Sequence, residues 1–456
     1  MIDAPFSLEP WRYSKGWVLY TFSRVVIIVA YLSVFLVLQS HLESGCGRLR
    51  QEGKPMTTQA QDLGSQTPEE AVLQHATLEL AQVQERIGPS FRRAEARTRA
   101  GRFLRALLAP VERKNGWQLA EELGEYSPHG VQRLLAEADW DEEAVRDELR
   151  RYVVESLGDA DGVLVVDETG FLKKGKKSAG VANQYSGAAH GLANSQVGVF
   201  LLYASTHGAA FLDRDLYLPD EWLMDPVRCR EAGIPEESTL VSKGELAKRM
   251  LARAFEAQVP ANWVVGDTLY GYDELRLFLE EQFKHYVLAI PETHLVWVAG
   301  RQEPIGYLAA LLPDKAWTVL SAGEGSQGPR LYEWAWFQLP QGGDSSEEAQ
   351  EHSQEQARFL LVRRNLSDPS KRAYYRVAGP ATLTLSEVVC IAGRRWTIEE
   401  GIEEAKGEVG LDQYEVRTYR AWYRFMTLAL FAHAVLSAVR HRVREKKGRG
   451  SLLVSS

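Results

Sequence analysis

Cysteine is nearly absent. The 456 residues hold three, Cys46, Cys229 and Cys390, far apart and without paired spacing. That excludes a disulfide framework and a cysteine zinc site, and it fits a reducing cytoplasm. Neither His190 nor His433 has ligand spacing, so neither reads as catalytic. Positive charge is also short: the net charge is -8, whereas a nucleic-acid binder is expected to be basic. No internal repeat is found. The most apolar stretch, residues 17–40, has an uninterrupted part at 25–38 that is shorter than the roughly 20 residues of a spanning helix. Arg24 interrupts any longer version.

What is present is ordinary globular material. The 45% hydrophobic content is enough for a large core, and the length suggests two or three domains. The N-terminus stands apart. Residues 1–68 read as an apolar extension and a polar linker. Met56 opens a plausible cytosolic start. Residues 1–55 are therefore expected to be an upstream extension or dispensable appendage, with a membrane anchor through 17–40 or a buried helix as the alternatives.

Residues 69–156 have apolar positions at helical spacing. Within them, a short helix (117–123), a turn with Ser127 as N-cap and Pro128 as first helical residue, and a second helix (129–138) outline a helix-turn-helix. Such a pair is either a DNA-contacting element or plain helical packing. From residue 161 the pattern changes to Val-rich runs at 162–166, 180–188 and 196–205, then 262–271 and 285–290, which read as strands. Residues 272–282 are helical. Residues 291–383 are strand-like with polar loops, and 384–445 are helical again. A basic stretch lies at 440–450, and residues 446–456 form the tail. Trp263, Trp396 and Trp422 read as core residues.

Two acids stand out. Asp167 in "LVVDET" and Asp267 in "WVVGDT" each close an apolar strand and precede Thr. Either could merely cap the next turn. As a pair they point to a site, because open α/β sheets place their chemistry at strand ends. Two neighbouring carboxylates repel unless a cation lies between them, and magnesium prefers such ligands. Adjacent strand residues face opposite ways, so only one of Asp167 and Glu168 is expected to join. At about 100° per residue, Arg395, Glu399, Glu403 and Lys406 fall on one helical stripe. That stripe is either a surface ladder of ion pairs or a carboxylate set between two cations. Lys173, Lys174, Lys176 and Lys177 form a basic cluster after the first strand, either a solvated loop or a DNA contact.

The strings "VVDETGFLKKG", "QYSGAAHGLANSQVGVFLLYAS", "VVGDTLYG" and "RRWTIEEGIEEAKGEVGLDQYEVR" together resemble the DDE transposases of bacterial insertion sequences. The similarity is to the insertion-sequence-701-like branch, which is related to the insertion-sequence-4-like group, and it covers roughly 95–440. The resemblance implies an α/β, ribonuclease-H-like catalytic core, in two parts at 157–290 and 384–445. A β-rich insertion (291–383) lies between the parts, and a helical DNA-binding domain precedes them. It implies Asp167, Asp267 and Glu399 as catalytic and metal-binding residues. Arg395 and Lys406 fit the related group's signature spacing, but its Tyr position is Ala392 here.

The implied chemistry is two-metal phosphoryl transfer, with two Mg2+ (or Mn2+) ions flanking an in-line displacement. Water cuts at the transposon end, and the freed 3′-hydroxyl attacks target DNA. Arg395, Lys406 and the four lysines would contact phosphate. The implied partners are double-stranded DNA, as terminal inverted repeats and target, and a second copy of the chain, in a cytoplasmic, nucleoid-associated setting. Competing readings are a transposase-derived DNA-binding protein, a stand-alone magnesium-dependent endonuclease, and a membrane protein resting on 17–40. The intact acids argue against the first.

Overall fold

The computed structural model describes residues 68–298, 300–325, 328–339 and 356–452. The segment 17–40 and Met56 lie outside them. The described residues open with helices α1 (Pro68–Ile87), α2 (Ala94–Leu108), α3 (Gly116–Glu122), α4 (His129–Ala136) and α5 (Glu142–Leu157). Asn115 caps α3 by accepting from the Trp117 and Gln118 amides. Asp141 caps α5 in the same way. The helix pair expected at 117–138 is α3 and α4, with one local difference. Pro128 itself is the N-cap of α4, and no side chain caps that helix.

Strands β1 (Gly162–Leu172), β2 (Ala182–Ser186), β3 (Gly191–Ala204) and β4 (Ala209–Tyr217) come next. They are followed by α6 (Asp220–Leu223), α7 (Pro226–Ala232), α8 (Lys243–Glu256), β5 (Ala261–Gly266), α9 (Asp273–Glu281) and β6 (His285–Ile290). β1 pairs antiparallel with β3 and parallel with β5. β3 pairs antiparallel with β4, and β5 pairs parallel with β6. The order β4-β3-β1-β5-β6, with helical crossovers into both parallel strands, is a ribonuclease-H-like α/β core.

The chain then adds β7 (Leu295–Val298), β8 (Arg301–Pro304), α10 (Ile305–Ala310), β9 (Thr318–Gly325), β10 (Gly328–Gln338), β11 (Ala357–Arg364) and β12 (Arg372–Gly379). β12 pairs with β6, so the main sheet runs on as β6-β12-β11-β10-β9. The β-rich insertion thus extends the core sheet. It keeps a small hydrophobic cluster of its own around Val296, Ile305 and Leu360. Helices α11 (Leu385–Gly393), α12 (Trp396–Val409) and α13 (Tyr419–Leu452) close the fold.

α13 is long and apolar enough over Tyr419–Glu445 to cross a membrane. However, 94% of its most apolar window is buried inside the protein, against α2, α4, α5, α12 and β4. It is a core helix. β4 has no counterpart in the sequence reading, because "LDRDLY" interrupts its apolar run with charge. Those charges are buried and paired. Asp213 accepts from Arg253 Nε at 2.8 Å, and Arg214 donates to Glu143 at 2.8 Å. Removing the more exposed partner, Arg253 or Glu143, would leave a buried charge less compensated.

One close approach joins the insertion to the C-terminal helices. A Cβ on Gly393, at the end of α11, would sit 1.9 Å from the Ala322 carbonyl oxygen of β9. Gly393→Ala is therefore expected to cost about 1–3 kcal/mol through overpacking, read as a lower urea midpoint. Gly407→Ala in α12, where a Cβ meets nothing, should be neutral or slightly stabilising.

Candidate active site

β1 outruns β5. Their pairing stops at Val166 opposite Gly266, while β1 continues against β3 through Leu172. Asp167 and Glu168 therefore flank an open strand end, and Asp267 is the first residue beyond β5. Carboxylate oxygens of Asp167, Glu168 and Asp267 all lie within 4.8 Å of one another.

The sequence reading admits only one of Asp167 and Glu168, yet both carboxylates lie near Asp267. Successive side chains leave the strand on opposite faces, but the β5 side is vacated here and both carboxylates reach past its end. Asp167 folds back along the strand, its Oδ1 accepting from the Glu168 amide at 2.8 Å. Glu168 is drawn over the same gap by two donors, Lys243 Nζ at 2.9 Å and the Tyr270 hydroxyl at 2.7 Å. Asp267 also caps the short turn after β5, accepting from the Leu269 amide at 2.9 Å. Its capping and clustering roles are compatible.

The electrostatics follow from crowding. Burial and then the Asp267 and Glu168 charges push the Asp167 carboxyl up to about 8, against the opposing pull of Arg395. Burial, then Glu168, raises Asp267 as well, while Arg395 and Lys243 oppose. These are half-buried like charges without a full set of countercharges, and the donors are hard oxygens. The residues fit a divalent cation.

α12 supplies the other expected residues. Arg395, its N-cap, donates to Glu399 Oε1 at 2.6 Å, the i,i+4 pair that helical spacing predicts. The Glu399 side chain is 48% exposed and lies outside the three-acid group. The Arg395 guanidinium that it holds also acts electrostatically on Asp167 and Asp267. Glu403 is exposed. Lys406 donates to Thr169 Oγ1 at 2.8 Å, two residues beyond Asp167 on the same strand. Burial lowers the Lys406 pKa, and Asp412 partly offsets this.

The four lysines divide. Lys173 Nζ lies 3.3 Å from the Tyr414 ring centroid and donates to the Tyr414 carbonyl at 3.1 Å. Burial lowers its pKa to about 8. Lys174, Lys176 and Lys177 are exposed. Trp422 is fully buried, as expected of a core residue. Trp396 is only half-buried. It stacks on Tyr332 of β10 at 6.2 Å, with Arg330, Arg363 and Arg395 around its ring.

Sequence reasoning missed Lys243 and Tyr270. Tyr270 follows Asp267 within "GDTLYG" and offered a local signal. Lys243, in "VSKGEL", offered none.

Residues 86–306 match the DDE superfamily endonuclease family. Over 323 residues, 68% of this chain and 75% of the relative, the sequence is 24% identical to the probable transposase for insertion sequence element IS701 of Microchaete diplosiphon. Among solved structures, the piggyBac transposase synaptic complex with hairpin DNA aligns over 84% of this chain and 77% of that one, at TM-score 0.38 and 11% identity. The NurA nuclease of Sulfolobus solfataricus aligns over 59% and 82%, at TM-score 0.23 and 10% identity.

The Asp167 shift has a consequence for stability. A carboxyl that titrates near 8 when folded, against 3.8 ordinarily, destabilises the fold increasingly as pH rises between those values. Asp167→Asn removes that penalty. In chelator, the variant should melt above the wild type near pH 8, with a smaller gain near pH 5. A gain independent of pH would contradict the raised carboxyl.

Proposed function

Because this chain is a DDE transposase of the IS701 type, we propose that it cuts DNA at the ends of its own insertion sequence and joins the freed 3′-hydroxyl to target DNA, using Asp167, Asp267 and Glu399. The observation that supports this most is the convergence of Asp167 and Asp267 at the open end of β5, with the Arg395–Glu399 pair on the neighbouring helix.

Asp167 and Asp267 would hold divalent cations, two Mg2+ or Mn2+ ions by the family's chemistry. When bound, these ions supply Lewis-acid stabilisation of the attacking and leaving oxygens in an in-line phosphoryl transfer. The chain's own residues do the positioning. Glu399 completes the acid set by leaving Arg395, and the freed guanidinium fork is then suited to a bidentate phosphate contact. Lys406, beside Thr169, offers a second cation along the same strand. Lys174, Lys176 and Lys177 reach the DNA backbone from the loop after β1. Lys173 anchors that loop through Tyr414. The acidic overall charge is no obstacle, because the cations gather locally around the site. Two transposon ends must be brought together, so the working assembly is a dimer on double-stranded DNA, formed in the cytoplasm where the element resides.

The test is magnesium-dependent cleavage of DNA carrying the element's own ends. Asp167→Asn, Asp267→Asn and Glu399→Gln should each abolish cutting while end binding persists. A variant that cuts like the wild type removes its residue from the assignment. Wild-type protein that binds ends in magnesium or manganese but never cuts would defeat the reading.

A further inference from the structure

Resting on that reading of the site, we propose that Glu168 is a further ligand of the metal centre beside Asp167 and Asp267, and that Lys243 and Tyr270 are positioning residues that aim it.

Three observations converge on Glu168. The first is place. Its carboxylate lies within 4.8 Å of both aspartates, over the gap where β1 has lost its β5 neighbour. The second is how it is held. Each oxygen accepts one donor, Oε1 from Lys243 and Oε2 from Tyr270. A carboxylate offers about four lone-pair sites, so each oxygen keeps one free. Ligating carboxylates are typically fixed in this way by outer hydrogen bonds.

The third is where the two donors come from. Tyr270 is fully buried in the turn that Asp267 caps, its amide donating to the Asp267 carbonyl at 3.1 Å. One turn thus places an acid of the site and a donor to Glu168 together. Lys243 opens α8, behind the Ser242 cap. The two donors approach Glu168 from separate elements.

A plain ion pair between α8 and β1 would also join Lys243 to Glu168. Such a pair does not require the carboxylate to sit among two other acids, where it adds repulsion. Three carboxylates within 4.8 Å of one another repel, which is a cost to the metal-free fold. A cation ligand gains from that crowding, whereas a structural cross-link loses. The two roles therefore predict opposite behaviour.

The experiment measures Mn2+ binding to the full chain without DNA by titration calorimetry, alongside melting in chelator. Wild type is compared with Glu168→Gln, Tyr270→Phe, Lys243→Met and Asp267→Asn. Glu168→Gln should weaken Mn2+ binding by at least tenfold, while its melting temperature in chelator is unchanged or higher. Tyr270→Phe and Lys243→Met should each weaken Mn2+ binding about 10- to 100-fold, as loss of an outer-shell partner does. Lys243→Met should also melt lower in chelator, since the acids lose a countercharge. If Glu168→Gln melts lower in chelator and binds Mn2+ like the wild type, Glu168 is a structural link and the proposal falls. In that case, loss of binding in Asp267→Asn would leave the aspartate site standing. If the wild type binds no Mn2+, the metal reading and this proposal fail together.

Discussion

The parallel pairing of β1 with β5 ends one residue before the first acid, and the rest of the site depends on that register. Had β5 continued, its backbone would have filled the space where Asp167, Glu168 and Asp267 now meet. Its ending turns a sheet edge into a notch lined by oxygen. Burial in the notch then makes the carboxylates expensive to ionise. The surrounding helices answer with Lys243 from α8 and Arg395 from α12, which compensate without neutralising the group. A site left short of positive charge is one that a divalent cation can complete.

Such a notch needs a rigid frame, and much of it is built from buried charge. Asp213, Arg214 and Arg253 tie β4 to α8, and Glu143 ties both to α5. Arg424 of α13, fully buried, donates to Glu142 at the start of α5 and to the Trp140 carbonyl. These pairs fix orientation through directional contacts that aliphatic packing lacks. They link the helical N-terminal region, the core sheet and the last helix into one network. The contact between Gly393 and β9 does comparable work on the other flank, where the helix bearing Glu399 begins.

What could be read from the sequence was whatever had local periodicity. The Val-rich runs of β1 and β5 announced themselves, and each ended in the acid that matters. The stripe of Arg395, Glu399 and Lys406 needed only a helix to place it. What escaped depended on distant partners. β4 was invisible because Asp213 and Arg214 look like surface residues until Arg253 and Glu143 are placed against them. Glu168 was set aside because successive strand residues leave on opposite faces, and its reach past the end of β5 depends on the distant donors Lys243 and Tyr270. Lys243 had no signal, since its role comes from where α8 begins in space. The lysine cluster looked uniform as a string, yet Lys173 turned inward to Tyr414 while its neighbours stayed in solvent.

The pairing of α13 with the first helices also sets a schedule. Glu142 and Arg424 are 282 residues apart, and the apolar faces of α2, α4 and α5 are completed by a helix that follows the whole core sheet in the chain. At about 5–20 residues per second, those faces wait on the order of tens of seconds for their cover. During that time the emerging chain exposes sticky apolar surface. A chain cut short before α13 would keep both aspartates and still lack the helix that closes its first half. Truncated copies should therefore tend to aggregate rather than persist as folded competitors of the intact protein.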